Sequence, residues 1–461
     1  MPVSAARKIA YEVLLRVATD GAYASDLLHS LLGPQVKNED AALATEISLG
    51  ALRWQRLLDF LLDLHMKKPV AKLDVPVAIA LRMGIYQLRF LERVPAHAAV
   101  HESVELVKAA KKTSASTLVN AVLRRASNEA RIPAEQLLAA ADHKLSAADR
   151  LSILRSHPAW MVERWLARFG EPATLRIVEA NNRPPRLSCL LTDPANRKKV
   201  FAELEHDGLE VEPGALLRDS FSVSGNSVVR TAAFRRGEIS VQDEASQAVA
   251  HLLQVQPGDR VLDVCAAPGG KTAILARAAL PDGTVTATDV HAHRLRATRD
   301  QLARIGAKNV TLVELDATKP LGFANQFDRI LVDAPCSGTG TLARHPEIRW
   351  RLIANELPAY RELQVSLLRS ALERLAPHGR LVYSTCSIES EEDDEVVASV
   401  VDEMKDGFRR VPTLQFAPAI ADKLANGIDP ATLFDARSQF RVLPGEHSSD
   451  GFFAAAIERR R

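Results

Sequence analysis

An α/β domain with a doubly wound parallel sheet, preceded by an all-α domain and a small α+β module, is the fold class that this sequence predicts. Three observations carry it. From about Gln242 onward, apolar strands alternate with amphipathic helices, the pattern that builds parallel sheets with helices on both faces. From Ala5 to about Ala141, apolar residues recur at one-face helical spacing. Between these lies a stretch of short strands broken by proline and glycine.

The bulk numbers agree with such a partition. A chain of 461 residues exceeds one ordinary core, and length as a soft prior gives about three domains. The expected limits are 1–143, 144–238 and 239–461. With 47% hydrophobic and 25% charged residues, the composition is that of a globular chain with a sizeable interior. Lys plus Arg is 59 against 57 for Asp plus Glu, so a formal charge of +2 neither demands nor excludes nucleic acid. Four cysteines, with no CxxC spacing and no signal-peptide core, fit a reducing cytoplasm. No run of about 18 apolar residues predicts a membrane span. A monomer is the default expectation.

In the helical domain, Ile9, Val13, Leu14 and Val17 mark one face, as do Leu57, Leu58, Leu61, Leu62 and His65. Val104, Val107, Leu118, Val122 and Leu123 mark further faces, and Lys108, Lys111, Lys112, Arg124 and Arg125 cluster around KKTSAS. That cluster is either a solvated helix surface or an RNA contact. The middle module opens after Pro184-Pro185 with the extended RLSCLLT, the helical RKKVFAELEHDG and the strand-like FSVSG. Arg183, Arg186, Arg197, Lys198, Lys199, Arg235 and Arg236, with Trp160 and Trp165 just before, fit either RNA recognition or buried tryptophans beside a wet basic face.

The third domain reads as VLDVCA, a helix from Lys271, TVTATD, a helix from Arg294, VTLVELD, RILVDAP, a helix from about Pro358 to Leu375, and GRLVYSTC. The acidic SEEDDE then suits the first turn of a helix carrying Val396, Val397, Val400 and Val401. In VLDVCAAPGGKT a strand opens into a small-residue loop, Cys265 to Gly270, ahead of a helix. Such a turn offers backbone N–H groups and a helix N-terminus to a ligand. Gly270-Lys271-Thr272 matches the end of a P-loop, but Cys265 stands where its first glycine belongs. Asp289 ends the next strand, where a carboxylate accepts two ribose hydroxyls, which favours a nucleoside ligand. Asp316 and Asp333 end the following strands, so three carboxylates line one crevice; any one alone is equally well a helix cap.

Cys336 and Cys386 sit in loops at strand ends, whereas Cys189 and Cys265 read as buried structural cysteines. Carbon 5 of cytosine is a poor nucleophile until a thiolate adds at carbon 6, and the resulting enamine attacks a methyl cation donor such as S-adenosyl-L-methionine. A thiol needs help to ionise. A helix N-terminus after Cys386 helps, and Glu389, Glu391 and Glu392 oppose it unless they face solvent. Asp333 near the N3 and N4 edge holds or protonates the base, and a second thiol, Cys336, assists release.

These residues resemble the RNA cytosine-C5 methyltransferases of the NOL1/NOP2/Sun group. The matching stretches are VQDEASQ, VLDVCAAPGGKT, ATDVHAHRL, ELDAT, LVDAPCSGTGTLARHPEIRW, LVYSTCSIESEEDDEVV and PGEHSSDGFFAAAIER. The N-terminal helices are similar to a NusB-type domain. The resemblance implies a Rossmann-like S-adenosylmethionine-dependent sheet, with Cys386 as nucleophile and Cys336 as the thiol of product release. It implies cofactor contacts from Cys265, Ala266, Ala267, Pro268, Gly269, Gly270, Lys271, Asp289, Arg294, Asp316 and Asp333, no metal, and a target in small-subunit (16S) ribosomal RNA. Arg344, His345, Arg349, Trp350 and Arg351 form a basic-aromatic group suited to phosphate and base contact, with Lys111, Lys112 and Arg183 as further candidates. Trp350 reads equally well as a loop anchor. Access to carbon 6 requires an unstacked cytosine. Two other classes stay open from the residues alone: a P-loop NTPase carried by PGGKT and ILVDAP, and a non-enzymatic RNA-binding or assembly factor.

Overall fold

Strands begin only after Pro185; before it the described chain is helical. The computed structural model describes residues 3–33, 35–141, 144–225 and 227–460. Met1, His143 and Arg461, at expected domain ends, lie outside the described residues. Two units emerge: Met1–Pro184 with Leu342–Ala354, and Pro185–Thr341 with Asn355–Arg461. The helices Ala147–Leu154 and Ala159–Asn181, which the sequence pattern groups with the α+β module, thus fall in the first unit.

The first unit packs the helices Ala5–Asp20, Asn38–Arg53, Gln55–Asp63, Val75–Phe90, Ala96–Ala109 and Ser116–Asn128 around one core. Val13, Leu14, Val17, Leu57, Leu58, Leu61, Leu62, Val107, Val122 and Leu123 are buried in it as their spacing predicts. Leu118 is not: it is exposed, and the neighbouring Val119 takes the inward position. Gly50 admits the ring of Tyr86, since a Cβ there would lie 2.0 Å from Tyr86 Cζ. Trp165 is fully buried, edge-on to His157 with 5.7 Å between ring centroids. It therefore serves packing, and not an RNA platform.

The segment 342–354 belongs to this helical unit. Arg349, 1% exposed, donates to Arg53 O (3.0 Å), Ser156 O (3.1 Å), Asn181 O (2.5 Å) and Asn182 Oδ1 (2.8 Å). Arg53 and Asn181 are the last residues of their helices, so one guanidinium satisfies carbonyls that helix ends leave open. The negative ends of those helices compensate its charge, while burial pulls its pKa well below the ordinary arginine value. Trp350 Nε1 donates to Leu52 O at 2.7 Å and its ring packs against the core. Glu347 accepts from Ala24 N at 2.9 Å. The expectation that Arg349 and Trp350 present themselves to RNA is corrected accordingly: both are held inside the helical unit.

The second unit contains two sheets. Strands β1 (Leu187–Leu191), β2 (Leu209–Pro213), β3 (Ser220–Gly225) and β4 (Ile239–Val241) form an antiparallel sheet in the order β2-β3-β1-β4. Cys189, Leu191, Phe221, Val223 and Ile239 pack with Val200 and Leu204 of the helix Arg197–His206. Much of its basic surface is paired: Arg186 with Glu212 at 2.7 Å, Lys199 with Glu238 at 3.0 Å, and Arg236 with Glu203 and Glu238 at 2.6 and 2.5 Å.

The larger sheet comprises β5 (Arg260–Asp263), β6 (Thr284–Asp289), β7 (Val310–Glu314), β8 (Phe327–Asp333), β9 (Leu375–Thr385), β10 (Phe408–Val411), β11 (Phe440–Val442) and β12 (Phe452–Arg459). Its order is β10-β12-β9-β8-β5-β6-β7, with β11 on β12. Strands β5 to β9 pair in parallel, and β12 adds an antiparallel edge to β9. The central strands β5, β8 and β9 are apolar and buried on both faces, by the helices Gly270–Ala279 and Glu244–Leu252 on one side and Leu357–Leu372 and Asp394–Glu403 on the other, whereas the edge strand β7 has no buried residue. The order reverses between β5 and β8, and ligands bind outside the carboxyl ends of strands at such a switch point.

Replacing Arg349 with alanine leaves several buried acceptors unpaired, and the expected cost is about 3 kcal/mol of stability. Denaturant titration checks it, and Arg349→Lys, which lacks the planar fork, is expected to recover less than half of the loss.

Candidate active site

Strand β5 delivers Asp263, buried to 1% exposure, and then the loop to Gly269. Asp263 Oδ2 accepts from Thr272 Oγ1 at 2.7 Å while Oδ1 has no hydrogen-bond partner. Burial pushes its carboxyl up to about 7. This carboxylate lies within VLDVCA yet was no candidate by sequence, because a strand-end Asp inside an apolar run carries no separate signal. The loop is tied to the sheet by Val264 N to Leu331 O (2.9 Å) and Ala266 N to Thr288 O (2.8 Å). Cys265 is half-buried, and burial raises its thiol above the ordinary range, as suits a structural cysteine.

Gly269 sits at φ 99°, a conformation that L side chains rarely adopt, and a Cβ there would meet Thr298 Cγ2 at 2.9 Å. The glycine thus closes the turn against a neighbouring helix, and Gly270, whose added Cβ would stand 3.0 Å from Gln242 Oε1, begins the helix. Lys271 does not reach into the loop as a phosphate lysine does. Its Nζ lies 2.7 Å from Asp333 Oδ2 and over the Phe452 ring at 5.1 Å.

Strand β6 ends on Asp289, 3% exposed, whose Oδ1 accepts from His291 N at 3.0 Å. Arg294 Nη1 stands 3.2 Å from Oδ2 without hydrogen-bond alignment, and its Nη2 donates to Ala267 O at 3.0 Å. Arg294 therefore straps the helix Ala292–Arg304 to the β5 loop. Asp316 lies just beyond the end of β7, with Oδ1 accepting from Thr318 N (3.1 Å) and Thr318 Oγ1 (2.6 Å). Those bonds and Lys319 hold its carboxyl below the usual range. Asp333 ends β8, and its Oδ1 accepts from Ser384 Oγ at 2.7 Å.

The two loop thiols meet. Cys336 Sγ and Cys386 Sγ lie 3.3 Å apart, both cysteines free, beyond the ends of the adjacent strands β8 and β9. The Cys336 thiol is pushed well up, first by this hydrogen bond with Cys386 and then by burial. Gly340 N donates to Cys386 O at 2.9 Å, and a Cβ on Gly340 would strike Gly451 O at 2.2 Å. No side chain larger than glycine's fits between these two loops.

The acids after Cys386 depart from the sequence expectation. Asp394 and Glu395 do occupy the first turn of Asp394–Glu403, but Glu389, Glu392 and Asp393 are buried. Thr385 Oγ1 donates to Asp393 Oδ1 at 2.8 Å, and Arg441 pairs with Asp393, Asp394 and Asp435 at 3.0, 2.9 and 3.0 Å. The expected helix N-terminus beside Cys386 is corrected as well, since the helix starts only at Asp394.

Of the RNA candidates, Lys111 and Arg183 are exposed, Lys112 pairs with Asp74 at 2.7 Å, and His345 packs edge-on to Tyr23. Arg344 is half-buried. Among the described residues no cluster of His, Cys, Asp and Glu is arranged for a metal ion, and no helix is long and apolar enough to cross a membrane.

A doubly wound sheet with strand-end carboxylates around a small-residue loop suits a nucleoside-type cofactor, and the family matches make it that of an S-adenosylmethionine-dependent methyltransferase. Residues 250–458 match the family of 16S rRNA methyltransferases RsmB/F, residues 4–128 the NusB family, and residues 157–230 the ferredoxin-like domain of RsmF/B-like methyltransferases. The chain is 32% identical over 464 residues to the probable ribosomal RNA small subunit methyltransferase B of Bacillus subtilis, covering 100% of both chains. It is 34% identical to ribosomal RNA small subunit methyltransferase B of Pasteurella multocida over 98% of this chain and 96% of that one. The crystal structure of PH0851 is similar with a TM-score of 0.79 at 25% identity, covering 99% of this chain and 100% of that one. The chain belongs to the ribosomal RNA small subunit methyltransferase B family.

The residues fit the cofactor on an observation of this structure: Asp263 Oδ1 and Asp289 Oδ2, at the ends of β5 and β6, are buried without hydrogen-bond partners. Such orphaned acceptors are costly unless a ligand donates to them.

Raised above its unfolded value near 3.8, Asp263 contributes stability that is complete below that pH and is lost as pH rises toward about 7. The melting temperature of Asp263→Asn is therefore expected to approach and then exceed that of the unsubstituted protein across this window. Calorimetry across the window from about pH 4 to about pH 7 checks it; parallel curves would place the titration elsewhere.

Proposed function

We propose that this protein methylates carbon 5 of a cytosine in small-subunit ribosomal RNA through a covalent adduct between Cys386 and carbon 6. The observation that carries the proposal is the pair of sulphurs 3.3 Å apart at neighbouring strand ends, beside Asp333. One thiol makes the bond to the base and the other serves its release. S-adenosylmethionine supplies an electrophilic methyl group when bound.

Every other part falls to side chains of this chain. Cys386 Sγ attacks carbon 6, which makes carbon 5 nucleophilic. Cys336, whose thiol the bond with Cys386 and burial hold protonated, stands beside it as a proton donor. Asp333, held by Lys271 and Ser384, faces the base edge and steadies charge drawn from the ring. Once methyl is in place, the carbon 5 proton leaves to a base and the electrons of that C–H bond expel Cys386 from carbon 6 as a thiolate, a release that Cys336 assists. Asp263, Asp289, Asp316 and Arg294, with the loop Cys265–Lys271, hold the cofactor. Lys111 and Arg183 remain candidate phosphate contacts, with Arg344 and His345 as further RNA candidates. The substrate reading extends to this chain what its relatives' names say of them, and a ribosomal RNA substrate fits the cytoplasm.

Incubation with methyl-labelled cofactor and unmodified ribosomal RNA, then digestion to nucleosides, is expected to give label in 5-methylcytidine; label in any other nucleoside overturns the assignment. Cys336→Ala is expected to accumulate a protein–RNA adduct on denaturing gels, and Cys386→Ala to form none while losing at least about 100-fold in rate. The inverse pattern would exchange the two roles.

A further inference from the structure

A carboxylate that faces neither cofactor nor base ties the two cysteine loops together. Glu392 is fully buried. Its Oε1 accepts from Ser337 N at 2.7 Å and Gln364 Nε2 at 3.1 Å; its Oε2 accepts from Ser387 Oγ at 2.6 Å and from Ser337 Oγ in a very short bond. Ser337 follows Cys336 and Ser387 follows Cys386 in the chain. Tyr383 OH donates to Glu392 O at 2.6 Å, and Gln364 Nε2 also donates to Pro335 O at 3.0 Å, so the backbone on both sides of the carboxylate is pinned.

Four donors converge on two oxygens, and only a carboxylate accepts from all of them. An amide offers one acceptor oxygen and turns two N–H groups toward donors. Burial raises the Glu392 carboxyl above its ordinary value while these donors oppose the shift. A buried charge is retained at a cost unless it is fully hydrogen-bonded, and here the bonds go to the residues next to the sulphurs. The sequence motif alone shows only an acid in an acidic run.

We propose that Glu392 is a positioning residue that sets the separation of the Cys336 and Cys386 sulphurs, and through it the passage from adduct to released product. The second half rests on the two-thiol reading above; the first does not. A shift of about 1 Å in a reacting group is enough to cost on the order of 100-fold in rate, so the loops need a tie this close to the sulphurs.

The test uses the full-length protein with Glu392→Gln. Under diamide, two thiols give up two electrons and two protons to the reagent and join as a disulfide, and mass spectrometry after alkylation reads the Cys336–Cys386 bond. The unsubstituted protein is expected to form it, and Glu392→Gln to form it at least about tenfold more slowly. Turnover should fall by a similar factor, with KM for S-adenosylmethionine and S-adenosylhomocysteine affinity within about twofold, and with more adduct standing at steady state. Cross-linking and turnover at the original rates would overturn the proposal, as would a loss of turnover matched by a loss of cofactor affinity. If Glu392→Gln does not fold, Ser387→Ala, which removes one of the four donors, is measured in its place, and an unaltered cross-linking rate there overturns the proposal too. Slower cross-linking together with an inverted adduct pattern in the cysteine variants would sink the division of roles and leave the positioning by Glu392 standing.

Discussion

The parallel register of β8 and β9 is the constraint on which the site depends. Asp333 lies opposite Ser384 in that register, and the two are hydrogen-bonded through their side chains. The cysteines leave the sheet just after these residues, so two thiols far apart in sequence are delivered to one place by backbone pairing. A parallel ladder does this because its strands end on the same side. Side-chain contacts then complete what the ladder begins.

Around that pair the polar groups are arranged in two different manners. Asp333, Lys271 and Ser384 satisfy one another at the end of β8, with Ser384 fully buried and Asp333 partly exposed. Glu392, Ser337, Ser387 and Thr339 satisfy one another out of water, where each bond is stronger and each vacancy costs more. Asp263 and Asp289 stand apart from both groups, each with an oxygen that accepts no hydrogen bond, although that of Asp289 has the Arg294 guanidinium beside it. The protein thus keeps unmet acceptors on the cofactor side and none at the carboxylate beneath the thiols.

Much of this was legible in the residues. The strand ends carrying Asp289, Asp333, Cys336 and Cys386 could be located because buried parallel strands read as apolar runs that stop at polar residues. The helical faces of Val13, Leu58 and Val122 were legible for the same reason of periodicity. What a polar residue meets from elsewhere in the chain was not. Arg349 and Trp350 look like a nucleic-acid surface because charge and aromaticity are the same letters whether solvated or packed; only tertiary contacts with Arg53, Asn181 and Leu52 separate the cases. SEEDDE failed similarly, since a run of acids predicts solvent unless donors from Ser337, Thr385 and Arg441 are known to converge on it. Asp263 went unremarked because its burial, rather than its identity, sets it apart.

The seating of Arg349 bears on how the molecule can be divided. The chain leaves the catalytic unit at Leu342, a short way past Cys336, lends thirteen residues (342–354) to the helical unit, and returns. A fragment starting at Pro185 would carry that loan without its lender, leaving the Arg349 guanidinium and the Trp350 indole without the carbonyls they bond. A fragment ending at Pro184 would lack the cation that closes its helix ends. The two halves are thus not contiguous modules: any cut at Pro184 divides the helical unit from one of its own segments.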